Sequence, residues 1–323
     1  MRPLNLIKKA ISEGSSFVIA THINPEADAI GSQLAVYRLL QKLNKKAKPI
    51  LDDEIPSNLK FFPDVVKIHI LSGQKFTPAN YEVLIVLDTP NPSRLGKIGD
   101  YLSRFKLVIN IDHHVSNTRF GDVVWVEENV SSAGEMVYKL YRTLGVEVDY
   151  TTALYLYAAI LTDSGCFRYT GTTSSTHKIV AELLNKGVEP YGVYAQIYEK
   201  NTVDKIRLWG NCLKNVQKKD KIVWIEITRQ MFKESKARRE DLEGVIDFLR
   251  TISDADVAVV FQELNSEVKV TFRSRNQDVD VNEIAKIFGG GGHKMASGCR
   301  VSGSIKEVRR KVFRVLRESM EKR

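Results

Sequence analysis

Leu107-Val108-Ile109-Asn110-Ile111-Asp112-His113-His114 is the stretch on which the reading of this chain turns. Its apolar, mostly β-branched run predicts a buried strand. The strand leads directly into an acid and two adjacent histidines. Burying three titratable side chains is costly unless they are paired or bound to a metal. Ligands of open α/β sheets sit beyond the carboxyl ends of the strands. The stretch therefore predicts half of a metal site at a sheet edge, with partner ligands to be sought elsewhere.

Two earlier strands end in the same way. The continuous apolar run 83–87 predicts a strand buried on both faces, and it stops at Asp88-Thr89-Pro90. The run 17–20 stops at Thr21-His22-Ile23-Asn24-Pro25-Glu26-Ala27-Asp28. Beyond Asp28, the residues Ile30, Leu34, Tyr37 and Leu40 recur at helical spacing, and Pro25 keeps Asn24 out of helical geometry. Glu26 or Asp28 alone would read as a complement to the helix dipole, but that leaves His22 unexplained. Three strand ends carrying Asp or His argue for one shared site. Further strands are expected at 48–51 and 67–71.

Helices are expected at 4–14, 132–144, 151–161, 172–186 and 190–199. The fourth acid is Asp163, which follows the nearly all-apolar helix 151–161 with no basic neighbour in sequence. An unpaired buried acid is costly, whereas a metal ligand is satisfied.

The chain of 323 residues is long enough for two domains. Hydrophobic content of 43% with 27% charged residues suits a globular protein with a full core. No apolar run approaches the roughly 18 residues that span a bilayer, so no membrane partner is expected. Cys166, Cys212 and Cys299 form no disulfide framework and the start lacks a signal-peptide pattern, so a cytoplasmic location is expected. The net charge of +9 favours an anionic partner such as a nucleotide or RNA.

Past residue 187 the pattern becomes helical and mixed in polarity to about residue 215. It then changes to alternating strands at 222–227, 257–263 and 268–274 with helices near 242–252 and 281–288. The expected organisation is a catalytic domain over 1–187, a helical linker over 188–215 and a substrate-binding domain over 216–323. The fold class is α/β. A mainly parallel sheet flanked by helices is joined to a smaller C-terminal α+β domain, with the active site expected in the cleft between them.

The second domain contains Phe288-Gly289-Gly290-Gly291-Gly292-His293-Lys294-Met295-Ala296-Ser297-Gly298. Four consecutive glycines cost backbone entropy, and they let a ligand approach the backbone and its N–H groups. The closing stretch 305–323 predicts an amphipathic helix with Val308, Val312, Leu316 and Met320 inward. Its arginines read as solvated surface.

His22, Glu26, Asp28, Asp88, His113 and Asp163, with Asp112 and His114 beside them, are too many acids for one zinc. Carboxylate and imidazole ligands suit manganese or a similar divalent ion. Two such ions would absorb about four carboxylates, one of them bridging, and would activate a water for displacement at phosphorus. Metal-dependent phosphoester hydrolysis is the class these residues favour.

The stretches around His22–Asp28, Asp88, Asp112-His113-His114 and Asp163 resemble the four motifs of the DHH phosphoesterase superfamily. The stretch 290–298 resembles the hallmark of its DHH-associated C-terminal domain. Nearly the whole chain is covered, and length and domain pairing are similar to the nanoRNase group, the bifunctional oligoribonucleases and 3′-phosphoadenosine 5′-phosphate phosphatases. The resemblance implies an enzyme, a manganese-dependent phosphodiesterase that shortens RNA of about two to five nucleotides and dephosphorylates 3′-phosphoadenosine 5′-phosphate. Magnesium or cobalt would be the substitute ions. It implies one ion on His22, Glu26 and Asp88, and a second on Asp28, Asp88, His113 and Asp163. Asp112 would orient His113, and His114 would lie near the scissile phosphate. Arg273, Gly290, Gly291, Gly292 and His293 would bind the substrate's terminal phosphate and nucleotide, the planar guanidinium matching phosphate oxygens. A homodimer is compatible with the resemblance. One departure is Glu26, where the family's first motif usually has Asp.

The main rival within the same chemistry is a phosphodiesterase of linear or cyclic di-AMP. A nucleotide-binding regulator with weakened catalysis, Glu26 being the damage, is the rival from another class. A family-II inorganic pyrophosphatase would lack the glycine-rich loop, and a RecJ-type exonuclease would carry an added module.

Overall fold

The computed structural model describes residues 3–72 and 76–321. The chain divides into two compact units, Met1–Lys200 and Asn201–Arg323. In chain order the first unit runs α1 (Pro3–Glu13), β1 (Ser16–Ala20), α2 (Ala27–Lys42), β2 (Lys46–Leu51), β3 (His69–Ile70), β4 (Val83–Leu87), β5 (Leu107–Asp112) and β6 (Val123–Val126). Four helices complete it: α3 (Ala133–Leu144), α4 (Tyr150–Asp163), α5 (Ser174–Leu184) and α6 (Pro190–Tyr198).

Its strands form one sheet in the order β3-β2-β1-β4-β5-β6, parallel at every pairing. Because both faces are covered, β1 and β4 are buried along their whole length. Alternate residues of β4 serve the two sides. Ile85 and Leu87 pack with Ile30 and Leu34 of α2. Leu84 and Val86 pack with Leu95 and Ile98 of the 3-10 segment Pro92–Arg104. Strand order reverses between β1 and β4, which places a ligand crevice at their carboxyl ends.

Two glycines set the helix layer. A Cβ on Gly31 of α2 would lie 2.6 Å from the Tyr155 carbonyl oxygen of α4. A Cβ on Gly134 of α3 would lie 2.6 Å from the Ala159 Cβ, also on α4. Three helices thus approach along glycine and alanine contacts. Asp149 caps α4 by accepting from the Thr152 N–H at 2.8 Å, and it also pairs with Arg38 of α2 at 2.7 Å. Helix α4 runs two residues past the expected end, so Asp163 is its last residue.

The second unit runs α7 (Val203–Lys214), β7 (Gln217–Lys219), β8 (Ile222–Ile227), α8 (Arg229–Ser235), α9 (Val245–Leu249), β9 (Val257–Glu263) and β10 (Glu267–Ser274). It continues with α10 (Val281–Ile287), β11 (Gly291–His293), β12 (Ala296–Ser302) and α11 (Ile305–Glu321). Its sheet has the order β11-β12-β10-β9-β8-β7, with β8 and β9 parallel and the other neighbours antiparallel. One face packs on Val308, Val312 and Leu316 of α11. The other packs on Leu208 and Cys212 of α7 and on Val245 and Leu249 of α9.

Within the stretch 188–215, Val193 and Ile197 of α6 join the first unit's core, and Leu208 and Cys212 of α7 join the second unit's. The helix expected near 242–252 is the short α9. Residues 322 and 323 of the expected closing helix lie outside the described residues. Among the described residues, no helix is long and apolar enough to cross a membrane.

Candidate metal centre

The three strand ends read from sequence lie side by side, because β1, β4 and β5 are adjacent. After β1 the chain turns at Asn24, whose φ is +54° and whose N–H donates to Asp53 Oδ2 at 2.6 Å. After β4, Asp88 itself is left-handed, with φ +52°, and its N–H donates to the Ile111 carbonyl at 3.0 Å. A non-glycine residue held this way costs about 1–3 kcal/mol and typically marks a functional site.

Asp88 is central. Its Oδ2 is 3.4 Å from His22 Nε2, and its Oδ1 is 3.4 Å from His113 Nε2 and 3.5 Å from His114 Nδ1. His113 Nε2 is also 3.1 Å from Asp163 Oδ2 and 3.8 Å from Asp28 Oδ2. Potential ligand atoms of Asp28, His113 and Asp163 lie within 4.8 Å of one another, as do those of Asp88, Asp112, His113 and His114. Asp28, Asp88 and Asp112 are all buried.

This concentration of buried charge governs the protonation of the site. Burial, with Asp88 and Asp163 nearby, pushes the Asp28 carboxyl well above its ordinary range. Burial lifts Asp163 to about 6, against the pull of His113. Burial alone would also raise Asp88, but His113, His22 and His114 hold it far below the usual carboxylate range. Burial disfavours the His113 imidazolium, yet Asp88, Asp163 and Asp28 outweigh it and raise the group to about 10. Asp88 Oδ1 and His113 Nε2 are both buried, and neither is aligned in a hydrogen bond. A divalent cation would satisfy both atoms and neutralise the acids. Imidazole nitrogen with carboxylate oxygen is the donor set of a divalent transition ion.

Other contacts hold these candidate ligand atoms in place. His22 Nδ1 is 2.8 Å from the Ile23 carbonyl, so this nitrogen carries the proton and Nε2 is left facing Asp88. Arg94 Nη2, 3.3 Å away, is a donor only and cannot bond the protonated Nδ1. Asp28 accepts from the N–H groups of Ala133 at 2.7 Å and Gly134 at 2.8 Å, and from Ser32 Oγ at 3.0 Å. Expected as a metal ligand, Asp28 also sits at the positive end of α3 and ties α2 to it.

Asp112 departs from expectation. Instead of orienting His113, its Oδ1 is 2.7 Å from His114 Nδ1, and its Oδ2 accepts from Asn117 Nδ2. The reason is local geometry: Asp112 is the last strand residue, so the side chain two positions on returns to its side. Asn117 also donates to Asn110 Oδ1 at 2.9 Å, which closes a buried network that sequence reading did not find. Glu26 occupies the N-cap position of α2 without a side-chain capping bond. It is exposed and belongs to neither cluster of ligand atoms, although its charge reaches Asp163.

In the second unit, Arg273 on β10 donates through Nε to Asp247 Oδ1 at 2.9 Å and through Nη1 to the Phe272 carbonyl at 3.3 Å. The glycines divide in role. A Cβ on Gly290 would lie 2.2 Å from the Gly298 carbonyl oxygen, and one on Gly292, with φ +149°, 2.5 Å from the Ala296 carbonyl oxygen. Both are required by the β11–β12 hairpin. A Cβ on Gly291 would make only an ordinary 3.8 Å contact with Asn282 Oδ1, and Gly291, like His293, is exposed.

Residues 16–160 match the family model described as the DHH family, N-terminal domain. Residues 221–322 match the DHHA1 domain. The chain is 33% identical to the bifunctional oligoribonuclease and PAP phosphatase NrnA of Thermus thermophilus, over 99% of this chain and 94% of that protein. It is 27% identical to the Bacillus subtilis protein of the same name, over 91% of each. The crystal structure of an exopolyphosphatase-related protein from Bacteroides fragilis superposes with a TM-score of 0.92 at 25% identity, over 99% of this chain and 96% of that one.

Proposed function

The chain belongs to the DHH family, with a DHHA1 domain at its C-terminal side, and from that premise we propose that it hydrolyses very short RNA to mononucleotides and removes the 3′-phosphate of 3′-phosphoadenosine 5′-phosphate. It is a phosphoric ester hydrolase with an acid and histidine cluster suited to divalent metal. The observation that carries the finer reading is the meeting of His22 and His113 at Asp88, with Asp28 and Asp163 also drawn in to His113. The names of the two NrnA relatives support the substrate class.

We assign His22, Glu26 and Asp88 to one divalent ion, and Asp28, Asp88, His113 and Asp163 to a second, with manganese as the expected metal. Bound there, the ions supply an ionised water and charge neutralisation at the phosphate. The protein groups do the rest. Asp88 presents one oxygen toward His22 and the other toward His113. Asp28 fixes the first turn of α2 against α3. Asp112 positions His114, whose proton affinity is raised by that carboxylate against the effect of burial, so His114 is suited to hold a proton beside the phosphate or leaving oxygen. In the second unit, Arg273, oriented by Asp247, His293 and the exposed backbone of Gly291 are assigned to the terminal phosphate. The expected setting is the cytoplasm.

The test is a substrate panel with manganese: a dinucleotide, a trinucleotide, a long single strand, 3′-phosphoadenosine 5′-phosphate, cyclic di-AMP and pyrophosphate. Hydrolysis of the two short RNAs and of 3′-phosphoadenosine 5′-phosphate, stopped by chelation, is expected. Turnover of pyrophosphate or cyclic di-AMP alone would overturn the reading.

A further inference from the structure

The chain leaves α4 at Asp163 through a turn in which Gly165, Cys166 and Phe167 are all left-handed, with φ of +59°, +57° and +65°. Two of these three are not glycine, so the turn is held by its surroundings. Phe167 packs against the core of the first unit and lies 5.4 Å, ring to ring, from His177. Arg168 Nε donates to the Gly165 carbonyl at 2.6 Å. The Tyr169 ring covers Gly165 so closely that a Cβ there would lie 2.5 Å from it. Cys166 faces the Tyr198 hydroxyl, and Tyr169 and Tyr194 stand near enough to influence its ionisation. The rings of Tyr194 and Tyr198 are 4.9 Å apart.

The result is an aromatic cluster pinned to the turn that begins at a candidate metal ligand. Cys166 is three positions after Asp163, so the two Cα atoms are at most about 10 Å apart. Core tyrosines would be covered. Tyr169, Tyr194 and Tyr198 instead remain 43%, 38% and 37% exposed, although Tyr169 is packed over Gly165 and the Tyr194 and Tyr198 rings lie against each other. Rings that are ordered yet open, beside a site for phosphate chemistry, are what sequence-tolerant base recognition uses. Every base has a π-face, and stacking on tyrosine needs no base-edge readout.

We propose that Tyr169, Tyr194 and Tyr198 form a stacking subsite for a nucleobase attached to the phosphate being hydrolysed. This deepens, and rests on, the reading of the site as a short-RNA phosphodiesterase. The occupant is an unpaired base of the substrate strand. The subsite gives the first unit its own means of preferring a nucleotide to a bare phosphoester.

The test uses the full chain with manganese, a dinucleotide, and two analogues of it that each lack one base. Tyr194→Ala and Tyr198→Ala should raise KM for the dinucleotide roughly 5- to 100-fold. Their KM for one of the base-less analogues should equal that of the unaltered protein, and Tyr198→Phe should restore the dinucleotide value. Equal losses on all three substrates, or none on any, would overturn the subsite while leaving the short-RNA reading standing. If the unaltered protein turns over no short RNA, that reading falls, and binding to the Tyr194→Trp protein decides the subsite alone. Quenching of the new fluorophore by AMP but not by ribose 5-phosphate supports it; no difference between the two overturns it.

Discussion

Gly31→Ala tests the helix packing that sets the geometry of the site. In an open helix this change is favourable by about 1 kcal/mol, because alanine is the better helix former. Here the new Cβ would lie 2.6 Å from the Tyr155 carbonyl oxygen and 3.4 Å from the Ala159 Cβ. The first neighbour is helix backbone, so α2 and α4 must separate by several tenths of an ångström. Overpacking of this kind costs about 1–3 kcal/mol, which offsets or exceeds the propensity gain. At about 2–4 °C per kcal/mol for a unit of this size, the net effect is a Tm unchanged or lowered by up to about 8 °C. The functional loss should be larger. Asp28 is in the first turn of α2 and Asp163 is the last residue of α4, so the shift moves one carboxylate against the other. A misplacement of about 1 Å can cost on the order of 100-fold in rate. The control is Gly210→Ala in α7, where a Cβ would meet nothing within 4 Å; it should raise stability by about 1 kcal/mol. Thermal melts and dinucleotide turnover read both variants. Equal stabilisation by the two changes, with full activity in each, would refute the packing argument.

Three further outcomes follow from the geometry. Asn117→Ala removes the amide that steadies Asp112 and, through it, His114, so kcat should fall about 10- to 100-fold while manganese affinity, measured by calorimetry, stays unchanged. Arg273→Ala should raise KM about 10- to 150-fold, the worth of a charged hydrogen bond of about 1.5–3 kcal/mol, with kcat nearly constant; a fall in kcat alone would remove Arg273 from phosphate binding. Metal binding must displace protons, because the metal-free site holds His113 protonated up to about pH 10 and Asp163 half-protonated near 6. Affinity should therefore rise with pH between 6 and 8, roughly tenfold per unit for each proton released; calorimetry in buffers of different ionisation enthalpy counts those protons, and a flat profile would contradict the assignment.

Much of the first unit was legible because parallel strands buried on both faces are continuous apolar runs. In such runs an acid or histidine at the end stands out, as His22, Asp88 and Asp112 do. Asp163 was legible as a lone acid after an apolar helix. What was not legible depends on contacts between segments distant in the chain. Asp28 reaches the N–H groups of Ala133 and Gly134 over a hundred residues away, and no local pattern reports it. The partner of Asp112 was misread because two adjacent histidines offer the same chemistry, and only the strand end decides which ring comes back. Asn117 gave no signal, being an ordinary loop residue until Asp112 and Asn110 converge on it. In the second unit, β7 and β12 are built from Gln217-Lys218-Lys219 and from the small and polar residues Ala296–Ser302, neither of which carries an alternating apolar signal. The glycine run showed that backbone approach mattered. It could not show that Gly290 and Gly292 serve the hairpin while Gly291 is left uncrowded.

Counting the metal gives the most direct test of the central claim that Asp88 is shared by two divalent ions. Crystals of the protein soaked in manganese and measured at its absorption edge should show two anomalous peaks, one on each side of the Asp88 carboxylate. One should lie toward His22 and the other toward His113 and Asp163, and the Asp88→Ala protein should lose at least one of them together with its turnover. A single peak away from Asp88, or two peaks and normal turnover in the Asp88→Ala protein, would contradict the account.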